Sequence, residues 1–182
     1  MKIFNMSSTV FRFGIYATLA ILALSAIHFF IVMPNASFET AEVAGYLTMI
    51  LSMVFVFAGI RHYRDHVNQG SLSFLQGLKV GALIVLIPSV AFGLFDILYT
   101  QVLNPSWLDD YFNHAAEKLK ASAPPDQLEK KLKKLEDDKE MFGNPVFQFL
   151  LMAGTVFIIG IIATIISSLT LRRSKPMNAS AI

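Results

Sequence analysis

An uncharged apolar stretch near the middle of the chain constrains its fold most. Residues 43–60 contain no Asp, Glu, Lys or Arg. At a rise of about 1.5 Å per residue, a helix over this stretch reaches about 27 Å, close to the roughly 30 Å thickness of a bilayer's hydrocarbon core. The charged run 61–65 follows directly. The stretch therefore predicts a helix that crosses a membrane.

Three further stretches have the same apolar character: residues 13–33, 74–99 and 146–171. The first is longer than the roughly 7–15 apolar residues of a signal peptide and has no Ala-x-Ala ending, so we expect an uncleaved span. The fold class predicted is all-α, a four-transmembrane-helix bundle. We assign residues 1–100 to the first three transmembrane helices, 101–144 to an extracytoplasmic helical hairpin, and 145–182 to the fourth transmembrane helix and a cytoplasmic tail.

Small residues mark the faces on which we expect these helices to pack. Gly45, Ser52 and Gly59 recur at seven-residue intervals on the second span, so they share one stripe of the helix. In lipid, small side chains let helices approach closely. Gly77 and Gly81 form the same kind of pair on the third span, with a lysine between them.

The region between the third and fourth spans is polar and predicts two amphipathic helices. Asn-Pro pairs precede and follow it, and Pro124-Pro125 divides it. We predict that Ser106 and Asp109 form a capping box at the start of its first helix. Apolar residues recur at helical spacing in each half, while lysines occupy the other faces of the second. The apolar positions are Leu108, Phe112, Ala115, Leu119, Leu128, Leu132 and Leu135. A helical hairpin is the favoured interpretation, because acidic residues alternate with the lysines. A basic amphipathic pair that lies flat on the membrane is the alternative.

The distribution of Lys and Arg decides the orientation only narrowly. With both termini in the cytoplasm, seven basic residues fall on each side of the membrane. The first external loop, residues 34–42, has none of them, and the basic residues on the inner side lie next to helix ends. We therefore predict cytoplasmic termini. Lys2 and Lys175 belong to the inner set, and we expect the tail beyond Lys175 to be disordered.

Residues of the second and third spans resemble the bacterial domain-of-unknown-function 4199 family. The residues that carry the resemblance are Glu42, Gly45, Tyr46, Met49, the Gly59-Ile60-Arg61-x-Tyr63-Arg64-Asp65 run, Ser73-Phe74, Gly77 and Gly81. The Asn104-Pro105 and Asn144-Pro145 pairs around the polar region are also similar to that family. The resemblance covers nearly the whole chain and implies a small bacterial inner-membrane protein with four spans. It implies no activity.

Ionisable residues within spans are the candidates for a functional site, because a charge in lipid is costly. His28, Glu42 and Asp96 are expected toward the outer side, where a His and two carboxylates could bind a metal or relay protons. Structural hydrogen bonding or anchoring at the interface is the alternative.

A second candidate set, the inner basic cluster, is expected at the cytoplasmic side. It comprises Arg61, Arg64, Asp65 and Lys79, which could form ion pairs or contact anionic lipid headgroups.

The functional hypotheses follow from what the sequence lacks as well as from what it contains. It has no cysteine and no nucleophile elbow, phosphate loop or zinc-protease motif, so we expect no enzyme activity, cofactor or metal. No basic patch with interleaved aromatic residues suggests nucleic acid.

We favour a non-enzymatic scaffold, accessory or interaction protein whose partners are lipid and possibly other membrane proteins or a second copy. An oligomeric transporter or channel component, suggested by Pro88 and the outer polar residues, is the alternative. An intramembrane metalloenzyme using His28 is the third possibility.

Overall fold

The computed structural model of the chain describes residues 5–174, of which nearly all are helical. Helix makes up 89% of the structure and the described residues contain no strands. Seven α-helices are found in this range: α1 Met6–Ile27, α2 Phe38–Ser52, α3 Val54–His62, α4 Phe74–Leu98, α5 Trp107–Ser122, α6 Pro125–Gly143 and α7 Pro145–Leu171. Lys2, Lys175 and the tail predicted to be disordered lie outside the described residues.

Four helical segments are long and apolar enough to cross a membrane: Met6–Asn35, Phe38–Val67, Phe74–Leu103 and Pro145–Leu171. The prediction of an all-α fold with four spans is therefore confirmed. Two of the segments extend beyond the predicted apolar stretches through a π-helical turn, Tyr63–Val67 and Tyr99–Leu103, and the first segment extends past residue 33 through a short 3₁₀ turn, Met33–Asn35. In the second span the apolar stretch ends at charged residues but the helix continues, since basic side chains such as Arg61 and Arg64 are favourable near a helix C-terminus.

The second span begins earlier than predicted and is interrupted near its centre. Ser37 caps α2, accepting a hydrogen bond from the Thr40 amide at 3.3 Å, so the first loop is shorter than residues 34–42. At Met53, between α2 and α3, the backbone has φ −72° and ψ −6°, and its amide donates to the Ile50 carbonyl at 3.0 Å. The span is thus two α-helices joined by one tighter turn.

The capping box predicted at Ser106 is wrong. Ser106 makes no side-chain cap hydrogen bond, and its hydroxyl donates instead to Asp110 Oδ2 at 3.2 Å and to Asn104 Oδ1 at 3.1 Å. A reciprocal box is found at the start of α4. There Ser73 Oγ accepts from the Gln76 amide at 3.2 Å, and Gln76 Oε1 accepts from the Ser73 amide at 2.9 Å.

The described residues fall into two compact units. The first contains residues 5–92 and 154–174, and the second contains residues 93–153. Glycines in the first unit lie where helices approach closely. A methyl group built on Gly81 would overlap Thr164 and Ile60, and one on Gly160 would overlap Val85. Hydrogen atoms at these positions let α3, α4 and α7 pack at short range.

Helices α5 and α6 form most of the second unit, and their contacts include aromatic rings and an ion pair. The Phe112 and Phe142 ring centroids lie 5.8 Å apart at an interplanar angle of 67°. Lys139 Nζ lies 2.7 Å from Asp109 Oδ1. The three leucines that the sequence placed on one face of α6 are half-buried, while its lysines at 130, 131, 133 and 134 are exposed. The two helices therefore bury apolar surface against each other and expose their charges.

Candidate functional site

Asp96, Thr100 and Gln148 form a buried polar cluster within the second unit. The Gln148 side-chain amide donates to Asp96 Oδ2 at 2.8 Å and to Thr100 Oγ1 at 2.7 Å. The Thr100 hydroxyl donates in turn to the Asp96 backbone carbonyl at 3.0 Å. Asp96 is 5% exposed and Gln148 is 2% exposed. We call these three residues the buried polar cluster.

Helix geometry explains why these three side chains meet. Asp96 and Thr100 are four residues apart, so they lie on one face of the helix that runs from α4 into its π-helical turn. Gln148 lies near the start of α7, where Asn144 Oδ1 accepts from the amides of Val146 and Phe147 at 2.9 and 3.3 Å. This cap fixes the first turn of α7 and with it the position of Gln148.

The cluster contains a fully buried hydrogen-bond acceptor that is unused. Gln148 Oε1 is buried and has no hydrogen-bond partner among the described residues, whereas both amide hydrogens of Gln148 have acceptors. A buried acceptor without a donor carries a desolvation cost of about 1–3 kcal/mol. A water, a protonated group or a small cation would reduce that cost, so the cluster can accept a further ligand of this kind.

The inner basic cluster contains one close ion pair in the first unit. Arg64 Nε donates to Asp65 Oδ1 at 2.6 Å, and Arg64 Nη2 donates to Asp65 Oδ2 at 3.1 Å, so the ion pair is bidentate. Arg61 Nε lies 3.7 Å from the same carboxylate. Arg64 Nη1 also donates to the Leu171 carbonyl at 3.5 Å, at the C-terminus of α7. Lys79 is exposed and forms no ion pair with the described residues.

Two of the predicted outer polar residues lie in the first unit but do not bond to each other. His28 is buried and packs beside Gly45, on which a methyl group would lie 3.5 Å from His28 Nε2. Its Nδ1 has no hydrogen-bond partner among residues 5–174. Glu42 is exposed and makes no ion pair in the described part of the chain. Asp96 belongs to the second unit, and the convergence of all three residues stays a prediction.

No group of three or more His, Asp or Glu side chains within residues 5–174 is placed to hold a metal ion. The buried polar cluster has only one carboxylate, together with an amide and a hydroxyl. These are hard oxygen ligands, which suit a proton or a hard cation better than zinc.

Comparison with protein families gives one match, to a family described as "Protein of unknown function (DUF4199)", over residues 12–173. The chain belongs to the DUF4199 family. The resemblance noted in the second and third spans is thereby confirmed. No curated protein and no solved structure matches this DUF4199 chain.

Gln148 is the residue that sequence reasoning missed in this DUF4199 chain. It is the one amide side chain in α7, between apolar neighbours, and a lone amide in a span predicts a buried hydrogen-bond partner. His62 and His66, whose four-residue spacing is visible in the sequence, have stacked rings with centroids 4.6 Å apart and an interplanar angle of 16°.

Proposed function

We propose that this DUF4199 protein is a non-enzymatic scaffold or accessory protein of a bacterial inner membrane, with both termini in the cytoplasm. Helices α5 and α6 form its extracytoplasmic helical hairpin and bind the partner. The supporting observation is that α6 has no buried residue, although it packs against α5.

The charges of α6 support a location of this helix in water rather than among lipid acyl chains. Lys131, Lys134 and Glu136 are exposed, with both signs of charge interspersed along the helix. If the two helices lay flat on a membrane, the leucines of α6 would have to enter it. These leucines are already half-buried within the second unit. A mixed-charge face of this kind favours a protein partner of complementary charge, because charge complementarity increases association rates and partner specificity.

Photo-crosslinking in native membranes tests this function. A photoreactive residue replaces Lys131 or Lys134 on α6, and the control variants carry it at Ile158 or Ile162, which are exposed on α7 within a span. We expect discrete protein adducts from the α6 positions and mainly lipid adducts from the α7 positions. If the α6 variants give no protein adduct, the partner-binding function is wrong.

The location of the hairpin is tested separately. The chain has no cysteine, so Lys133→Cys provides a single thiol on α6, and Ser174→Cys provides one at the other end of α7. A membrane-impermeant maleimide added to intact cells is expected to label Lys133→Cys and not Ser174→Cys. The reverse pattern would invert the proposed orientation.

The buried polar cluster favours a second function, transport of a proton or small cation by an oligomer. An ionisable group in a span marks such pathways in other membrane proteins, and four spans leave little room for a pathway in one copy. Flux into proteoliposomes should then fall at least tenfold in Asp96→Asn and stay unchanged in Asp110→Asn. Wild-type vesicles that show no flux of protons, sodium or potassium would exclude this function.

A further inference from the structure

A polar cavity of about 530 Å³ lies in the first unit, where the segment 68–76 meets the end of α7. Its volume is within the roughly 300–1,000 Å³ typical of ligand pockets. Its lining includes Arg172 and Arg173, just after the end of α7, together with the polar residues Asn68, Ser73 and Gln76. None of the nine lining residues is acidic, so the cavity carries an excess of positive charge.

Backbone hydrogen bonds join the two chain segments that line this cavity. The Leu72 amide donates to the Arg173 carbonyl at 2.8 Å, and the Arg173 amide donates to the Leu72 carbonyl at 3.0 Å. Leu72 itself is buried. Asn68 Nδ2 donates to the Ser71 carbonyl at 2.7 Å and thereby fixes the turn before α4. Arginines next to this pair of hydrogen bonds have restricted backbone freedom, which reduces the entropy lost when a ligand binds.

The chemistry of the lining residues selects the ligand. Guanidinium groups bind phosphate through paired, charge-assisted hydrogen bonds. At the start of α4 the amides of Phe74 and Leu75 have no acceptor among the described residues and add donors of the same sign, while the next two amides already donate to Ser73. The cavity lies at the ends of two spans, α7 and the segment that starts at Phe74, which is the depth of lipid headgroups. The ion pairs that Arg64 and Arg61 make with Asp65 leave those two arginines less available for the same task.

We propose that this cavity is a binding site for a phosphate-bearing anion, held by Arg172 and Arg173, whose source is an anionic phospholipid headgroup or a soluble phosphate. The residues that line this site are distinct from those of the inner basic cluster, and the site is independent of the partner-binding function of α5 and α6.

Binding to the purified full-length protein in neutral detergent tests the site. Native mass spectrometry counts retained phosphatidylglycerol against phosphatidylcholine, and a parallel arm measures the thermal shift produced by inorganic phosphate alone. Phosphatidylglycerol retention without a phosphate shift identifies a lipid site, and the opposite result identifies a soluble ligand. Either result supports the proposal, and wild-type protein that responds to neither ligand overturns it.

Charge-matched variants show whether the cavity is responsible. Arg172→Gln/Arg173→Gln removes two positive charges at the cavity, and the control Lys130→Gln/Lys131→Gln removes two on α6. We expect at least about a tenfold weaker binding in the arginine variant, because two charge-assisted contacts are lost, and no change in the control. Equal losses in both variants, or none in the arginine variant, overturn the proposal. If the double variant fails to fold, Arg172→Gln and Arg173→Gln are measured singly against Lys130→Gln by the same criteria.

Discussion

The two units of this protein are stabilised by opposite means. In the first, α3, α4 and α7 approach through glycines, and the fully buried side chains are mostly aliphatic, as at Ile60, Ile84 and Val156. In the second, the contacts between α5 and α6 include aromatic rings and an exposed ion pair. In lipid, apolar burial does not drive helices together, so the helices have to be held together by close packing. Under the extracytoplasmic location that we propose for α5 and α6, water surrounds these helices, and burial of a few large rings is sufficient.

This difference teaches which substitutions each unit tolerates. A unit whose helices pack at short range is sensitive to added side-chain volume, because an extra carbon atom overlaps the neighbouring helix. A unit held by a few rings is sensitive to lost volume, because each ring is a large share of the buried surface.

Removing the central ring of the second unit is expected to have the largest effect. Phe112 is 5% exposed and its ring contacts both Tyr111 and Phe142. Phe112→Ala should reduce the unfolding free energy of α5 and α6 by about 3–5 kcal/mol. Hydrogen exchange of peptides from residues 107–143 measures the loss. Met141→Ala, at an exposed position on α6, is the control and should change exchange little. Unchanged protection in Phe112→Ala would show that the ring contacts do not hold these helices.

Added volume is expected to damage the first unit by about 3 kcal/mol. A side chain on Gly160 would overlap Val85, whereas one on Gly154, on the same helix, meets no atom within 4 Å. Gly160→Leu should therefore lower the midpoint of thermal unfolding in detergent, and Gly154→Leu should not. Because both variants make the same Gly→Leu change on one helix, the difference between them reports close packing and not helix propensity. Equal shifts in the two variants would contradict the glycine-packing account.

The sequence was sufficient for the four spans, because apolar length is decided locally by the bilayer thickness. It was also sufficient to place Leu128, Leu132 and Leu135 on one face of α6. It could not supply the partner of Asp96, since Gln148 is 52 residues away and only the fold brings the two together. The capping box failed at Ser106 for a different reason: the Ser106 backbone is helical, with φ −77° and ψ −14°, whereas a capping residue has an extended backbone, and a pattern of residue types does not show the backbone angles.

Breaking the buried polar cluster should cost about 2 kcal/mol, because one partner of a buried hydrogen bond is removed and the other is left unsatisfied. Gln148→Leu keeps the side-chain volume but removes both donors to Asp96 and Thr100. Unfolding by denaturant measures the change. The double variant Asp96→Leu/Gln148→Leu should recover part of the loss, because no carboxylate then remains buried. A double variant whose loss equals the sum of the two single losses would mean that the two side chains are not coupled.

The smallest effect is expected at the exposed ion pair of the second unit. Asp109 and Lys139 are 2.7 Å apart, but their side chains are 62% and 38% exposed, so water and salt screen the attraction and the pair should contribute about 0.2–1 kcal/mol. A double-mutant cycle with Asp109→Asn and Lys139→Gln measures it, with Glu129→Gln as a control that removes an exposed charge on α6. The coupling should fall further in 1 M salt, where the Debye length is about 3 Å. A coupling above 2 kcal/mol that survived high salt would mean that this pair, and not the rings, organises α5 and α6, and the contrast between the two units would then be one of charge rather than of volume.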